Sequence, residues 1–249
     1  MKKTILIAHP GEAPSADAPY GGPLAAALVA EARAAGWTVA LALKADPRAA
    51  AAAPAAKPPK PAAPGGKATE PEAAPGGREE ATVLAWNPAS YVSACALALA
   101  AKNALGEIEA AIVLSEPAAL GADLLADGPG KAETAIGEAT LGPALLCREL
   151  ARRFEARKAG ALLLLGEEPP EDAPLGPVAA LAAGAFRGLG DGLFAASAEA
   201  PYDVYGVADR GGLPAEAARF ALRLLEEGKS GKSGRWLRFG GKAGIFGVF

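Results

Sequence analysis

KTILIAHPGEAPSADAPYGGPLAAALVAEARAAGWTVALAL, residues 3–43, is the stretch whose reading decides the fold. It opens with a short β-rich apolar run, KTILIA. Turn formers fill HPGEAPSADAPYGG. PLAAALVAEARAAG then places apolar residues at helical spacing, with a proline at its first turn and a glycine at its end. WTVALAL is a second β-rich run. Strand, glycine-containing loop, helix, strand is the start of a βαβ unit, and such a unit calls for a parallel sheet.

The same alternation continues beyond residue 80. ATVLAW reads as a third strand, and PASYVSACALALAAKNALG as a helix closed by Gly106. IEAAIVLSE is a fourth strand. A long helix, AETAIGEATLGPALLCRELARRFEARKAG, carries Gly142-Pro143 and is expected to break or ease there. ALLLLGEE is uniformly apolar, as a strand buried on both faces should be. GPVAALAAGAFRGLGDGLFAASAEA (176–200) is helical but small and apolar on every side. YDVYGVAD, the amphipathic PAEAARFALRLLEEG and GRWLRFGG complete the series. The expected architecture is a single α/β domain over 1–249, a doubly wound sheet of about seven parallel strands with helices on both faces. Residues 46–80 interrupt it. They hold no aromatic, Leu, Ile or Val. We expect a low-complexity Pro/Ala-rich insert that is mobile and dispensable for folding, because it has too little apolar area to offset its ordering entropy.

Composition narrows the function. Lys and Arg total 25 against 28 Asp and Glu, a formal charge of −3, so nothing favours nucleic acid as a partner. GKSGKSGRWLR is the one strongly basic stretch and reads as a solvated turn before a strand. Cys95 and Cys147 fall in helical patterns and read as buried free thiols. A lone histidine, His9, builds no histidine-based metal site, and we read it as a loop residue. MKKTILIA is too short for a signal peptide. No segment is expected to supply the about 20 apolar residues of a membrane span. These readings point to a cytoplasmic protein. Glutamine is absent and Asn occurs only at 87 and 103, which fits a thermophile or high-GC coding.

The order of these segments resembles the short-chain dehydrogenase/reductase family over nearly the whole chain. GEIEAAIVLSEP stands where that family has a Gly-x-Ile-Asp strand and an Asn-Asn-Ala-Gly turn. LGPALLCRELARRF resembles its fourth helix, GALLLLGEE the strand with its catalytic serine, and GRWLRFGG its closing strand. AGAFRGLGDGLFAASAEAPYDVYGV resembles its fifth helix and sixth strand, where Tyr-x-x-x-Lys precedes Ala-Ala-x-x-Gly-Leu. The resemblance implies a Rossmann-like sheet and, for members that keep the chemistry, NAD or NADP as cofactor.

Aligning Gly188-Leu189 with the family's Gly-Leu places Ala179 at the tyrosine and Ala183 at the lysine. Gly166 falls near the serine and Ala139 near the asparagine. The expected Ser, Tyr, Lys and Asn are thus absent. Tyr20, Tyr91, Tyr202 and Tyr205 have no lysine four or seven residues on, and no lysine lies between Lys158 and Lys229. The family reaction needs a tyrosine whose pKa is lowered by a lysine. The cofactor loop also departs from Thr-Gly-x-x-x-Gly-x-Gly: it is longer, with Gly11 and then Gly21-Gly22. The ribose-binding acid would lie near Asp46, at the mouth of the insert.

Three functions follow: a non-catalytic member acting as an oligomeric binding or scaffold protein, a small-molecule binder or sensor, and an NAD(P)-dependent oxidoreductase with unconventional active-site residues. No cofactor is expected under the first two, and NAD or NADP under the third. The resemblance implies a homodimer or homotetramer packed through the fourth and fifth helices. We expect 176–200 to be covered by a second subunit, with Phe186 and Phe194 as anchors and Leu145, Leu146 and Phe154 beside them. The apolar positions Ala179, Ala180, Ala182, Ala183, Ala185, Leu189 and Leu193 are too widely spread for one buried stripe.

Overall fold

The computed structural model describes residues 3–10, 20–45, 81–121, 123–168, 175–211, 213–228 and 233–240. The insert expected at 46–80 lies outside them, as do Gly11 and Asp46.

The seven strands are β1 (Thr4–His9), β2 (Thr38–Lys44), β3 (Thr82–Trp86), β4 (Ala110–Ser115), β5 (Ala161–Glu167), β6 (Asp203–Asp209) and β7 (Trp236–Phe239). They form one sheet in the order β3-β2-β1-β4-β5-β6-β7, every neighbouring pair parallel. The five described α-helices are α1 (Pro23–Ala34), α2 (Tyr91–Leu105), α3 (Pro129–Arg157), α4 (Pro177–Ala196) and α5 (Pro214–Glu227), with a 3-10 turn at Pro117–Ala119. This is the expected doubly wound, Rossmann-like architecture.

Strand alternation divides the core. Ile5 and Ile7 of β1 face α1 and α5, whereas Leu6 and Ala8 face α2, α3 and α4. All six residues of β1 and all six of β4 are buried, because helices cover both faces at the sheet centre. The edge strand β3 is largely exposed, with only Trp86 buried. Helix ends follow local chemistry. The Ser90 hydroxyl accepts from the Ser93 amide to cap α2, and Gly106 ends that helix at φ 86°.

Three expectations are corrected. α3 is continuous through Gly142-Pro143. Gly142 lies against Pro88, where an added Cβ would stand 2.6 Å from the proline Cβ, so tertiary packing holds the helix despite the backbone donor that Pro143 lacks. In α4 an inward stripe of Val178, Ala179, Ala182, Phe186, Gly190 and Phe194 is buried, while the other apolar residues spread beyond it, with Ala180 and Leu181 exposed, and the two phenylalanines belong to the buried stripe. Phe186 and Phe194 meet the Trp236 ring at centroid distances of 6.2 and 5.7 Å, and Leu146 and Phe154 are buried in the same core. None of the four is available to anchor a partner. Finally, α4 has the length and mean hydropathy to cross a bilayer, contrary to expectation, although it packs on the sheet and carries Arg187 and Asp191. Of the two thiols, Cys147 is buried and Cys95 only partly so.

Candidate functional site

In a doubly wound sheet the crevice opens at the carboxyl ends of the strands, where the order reverses. Here that point lies between β1 and β4. β1 ends at His9, β4 at Ser115, and Glu116 follows directly. His9 is 2% exposed, and its Nε2 contacts Glu116 Oε2 in a short, part-buried pair.

The amino end of α1 closes on this pair. Gly21 has φ 83°, a left-handed conformation that glycine adopts without strain. A Cβ there would stand 3.0 Å from Leu43 Cδ2 and 3.2 Å from His9 Nδ1. A Cβ on Gly22, the N-cap of α1, would stand 3.1 Å from Glu116 Oε2. The Gly21-Gly22 pair thus permits the helix start to approach both side chains. α1 has no acidic residue in its first turn and no side-chain cap, and the Glu116 carboxylate places a negative charge at its partly positive end. Pro23 takes the first helical position, where its missing N–H costs nothing.

Two small cavities flank Ser115. One, about 150 Å³, is lined by His9, Gly21, Ser115, Glu116, Glu138 and Ala139 among others. Lys44 Nζ, at the end of β2, donates to Glu138 Oε2 at 2.6 Å on its rim. The other, about 180 Å³, lies between the ends of β4 and β5 and the inner face of α4. Its walls include Gly166, Glu167, Ala183, Phe186 and Trp236. Both are below the roughly 300–1,000 Å³ of a drug-sized ligand site.

Trp236 forms the far wall. Its Nε1 donates to Asp191 Oδ1 at 2.9 Å, and the Arg187 guanidinium lies 4.8 Å from the ring centroid. Gly190 and Gly206 make room for the indole: a Cβ would come within 2.3 and 2.6 Å of it. Sequence reading gave neither glycine a role.

The structure brings three of the four positions that the resemblance singled out to these cavities. Ala139 lines the first, and Gly166 and Ala183 the second, while Ala179 is buried beneath. A Cβ on Gly166 would stand 3.3 Å from the Phe186 ring, a tight contact that the ring would have to ease by a few tenths of an ångström.

Carboxyls dominate the polar chemistry. Burial pushes Glu167 above the ordinary carboxylate range, and Glu116 and Asp209 reinforce the shift. The adjacent Glu168 goes the other way. Arg210 donates to it at 2.7 and 3.1 Å and holds its carboxyl low, with Arg238 and Arg187 adding to the effect. Burial pushes the Cys147 thiol up to about 12, which leaves it unreactive. Among the described residues no group of three or more His, Cys, Asp or Glu could hold a metal ion.

His9 is therefore the last residue of a buried strand, not a loop residue, and its pairing with Glu116 was missed. The available signal was positional: a lone histidine ends the first strand, a glutamate follows the fourth, and the expected strand order places those two ends side by side.

Two solved structures share the fold. One is a metagenomic short-chain oxidoreductase in complex with NADP, with 17% identity, a TM-score of 0.59 and 90% of each chain covered. The fold is that of the short-chain oxidoreductases. The other is an NADH-dependent reductase, A1-R′, complexed with NAD: 13% identity, TM-score 0.65, 96% of this chain and 95% of that one. No family model matches the sequence. No curated protein matches it either. At these identities the likeness is one of fold, and the short-chain-oxidoreductase fold by itself leaves the chemistry to the site.

Proposed function

We propose that this chain is a small-molecule-binding protein on the short-chain-oxidoreductase fold, with no hydride transfer by that family's route. The observation that carries the reading is the chemistry at positions 139, 166, 179 and 183, which are alanine, glycine, alanine and alanine. Exchanging a proton with a substrate oxygen needs a donor or acceptor that titrates near the working pH, and none of these side chains has one. The cavity between β4, β5 and α4 suits a compact ligand with an apolar body. Phe186 and Trp236 offer ring faces, and Ser115 and Glu167 offer polar contacts at the strand ends.

A second reading, an NAD(P)-dependent oxidoreductase with unconventional residues, has its own support. The two structures of like fold hold NADP and NAD. Glu167 stands next to Gly166 with a raised pKa, as a general acid would require. One experiment separates the two. Alcohols and carbonyls are screened with both nicotinamide cofactors in each redox state, using pure protein. No turnover above background is expected. Robust turnover that is abolished in Glu167→Gln would establish the second reading and overturn the first.

Self-association is part of the proposal. α3 and α4 are the counterparts of the helices through which the resemblance implies assembly. The outer side of α4 presents Ala180, Gly184, Gly188, Gly192 and Ala196, all exposed and four residues apart, with Leu181 alongside. That row, rather than the phenylalanines, is the surface on which a second copy would pack closely.

A further inference from the structure

We propose that Glu116 sets the charge class of ligand this crevice accepts, by placing the protein's own carboxylate where a bound phosphate would sit. The proposal rests on the reading that the carboxyl-edge crevice is the ligand site.

The amino end of a helix attracts anions through its free N–H groups and its dipole. In dinucleotide-binding folds that end receives the pyrophosphate, and glycines let the backbone come close. Here α1 retains the glycines, at Gly21 and Gly22, but the Glu116 carboxylate lies against them. It is held from the other side by His9, itself fixed as the last buried residue of β1. The side chain of Glu116 is 13% exposed and that of His9 3%, so solvent screens the pair weakly. Each element is needed for the seat to be filled: a side chain in place of either glycine would push against the pair.

The consequence is selective. A phosphate entering between β1 and β4 meets an anion already in position, and the Lys44–Glu138 pair on the rim offers it no free cation. Lys44, the cation on that side, is engaged by Glu138. A neutral or cationic ligand meets no such opposition. Glu116 therefore acts against phosphorylated ligands at the start of α1, whereas the second cavity, beyond Ser115, has both Arg187 and Glu167 in its lining and is left to uncharged ones.

The test uses inorganic pyrophosphate and NADPH as probes, titrated by calorimetry and by NADPH fluorescence at fixed ionic strength. Wild type, Glu116→Gln and Glu116→Asp are compared with Glu226→Gln, which removes one distant exposed charge. Gln at 116 keeps the size and removes the charge; Asp keeps the charge and withdraws it from Gly22. Affinity for both probes should rise about ten-fold or more in Glu116→Gln, the order that one weakly screened charge supplies, and less in Glu116→Asp. Glu226→Gln should match wild type. Circular dichroism checks that each variant is folded, and Glu116→Asp stands as the test should the amide fail to fold. Equal binding by wild type and the folded 116 variants, or tighter binding by wild type, would overturn the proposal. Turnover of NADPH by wild type would instead overturn the functional reading, so the two failures are told apart.

Discussion

Glu167 and Glu168 are consecutive, yet their carboxyls are driven in opposite directions, and this gives each a distinct signature with pH. Glu167 is raised by burial, Glu116 and Asp209, so the folded state holds its proton to higher pH than the unfolded chain. It therefore costs stability as pH rises above about 4.3, the unfolded value, and the cost levels off above its own folded value. Glu168 is lowered by Arg210, so its contribution is present above the unfolded value and is lost as pH falls. Replacing Glu167 with Gln removes only the first effect. The melting temperature of the variant should equal that of wild type near pH 4, exceed it increasingly as pH rises, and keep a constant lead above the folded value of Glu167. A gap that closes with rising pH would contradict the burial argument. None of this was legible in GEE as a sequence. Which glutamate meets the arginine depends on the register of β5 against β6, where Glu167 pairs with Asp209.

Among elements, the two glycine-bearing helices of the α3–α4 layer invite opposite substitutions. At Gly184 and Gly188 an added methyl group meets nothing within 4 Å. Alanine there relieves the helix-interior cost of glycine, and each change should stabilise the monomer by about 0.5–1 kcal/mol. At Gly142 the methyl would meet the Pro88 Cβ at 2.6 Å and its Cα at 3.2 Å, so alanine should cost about 1–3 kcal/mol. Urea unfolding of dilute protein checks both signs. Apolar period and turn residues made nearly every strand and helix readable, from TILIA to WLRF. They could not show that Pro88 supports α3 across Gly142-Pro143, because that contact joins residues 54 positions apart. Nor could they rank the small residues of α4. Alanine and glycine pattern alike on either side of a helix until a sheet lies beneath one of them.

For the whole molecule, the outer row of α4 makes a prediction about assembly. Leucine at both Gly184 and Gly188 has open space in the monomer, so the fold should survive while close helix approach is blocked. Sedimentation equilibrium at about tens of micromolar, a range in which a standard-size interface holds, should show a two-fold assembly for wild type and a monomer for the variant. A monomeric wild type, or an assembly that survives the substitution, would place the contact elsewhere. The architecture was open to reading because a series in which strands and helices alternate, save between β2 and β3, leaves few arrangements. The site was only half open. Sequence placed Ala139, Gly166 and Ala183 among the positions to inspect, but the His9–Glu116 pair needed two strand ends, 107 residues apart, to be set side by side.

Trp236 has a bearing on how the molecule comes into being. Its strand is the last of the described strands to be made, yet its indole is the wall against which Phe186, Asp191 and Phe194 settle. During synthesis β1, made first, waits at the centre of the sheet and gains β2 and later β4 as they emerge. α4 is complete some 40 residues before its indole partner leaves the ribosome. For that interval its two phenylalanines have no ring to pack against, and the cavity beside Gly166 has no far side. The cavity beside Gly166 is therefore closed by the last of the described strands, and a nascent protein arrested before Trp236 holds the sheet's centre but not that cavity's far wall.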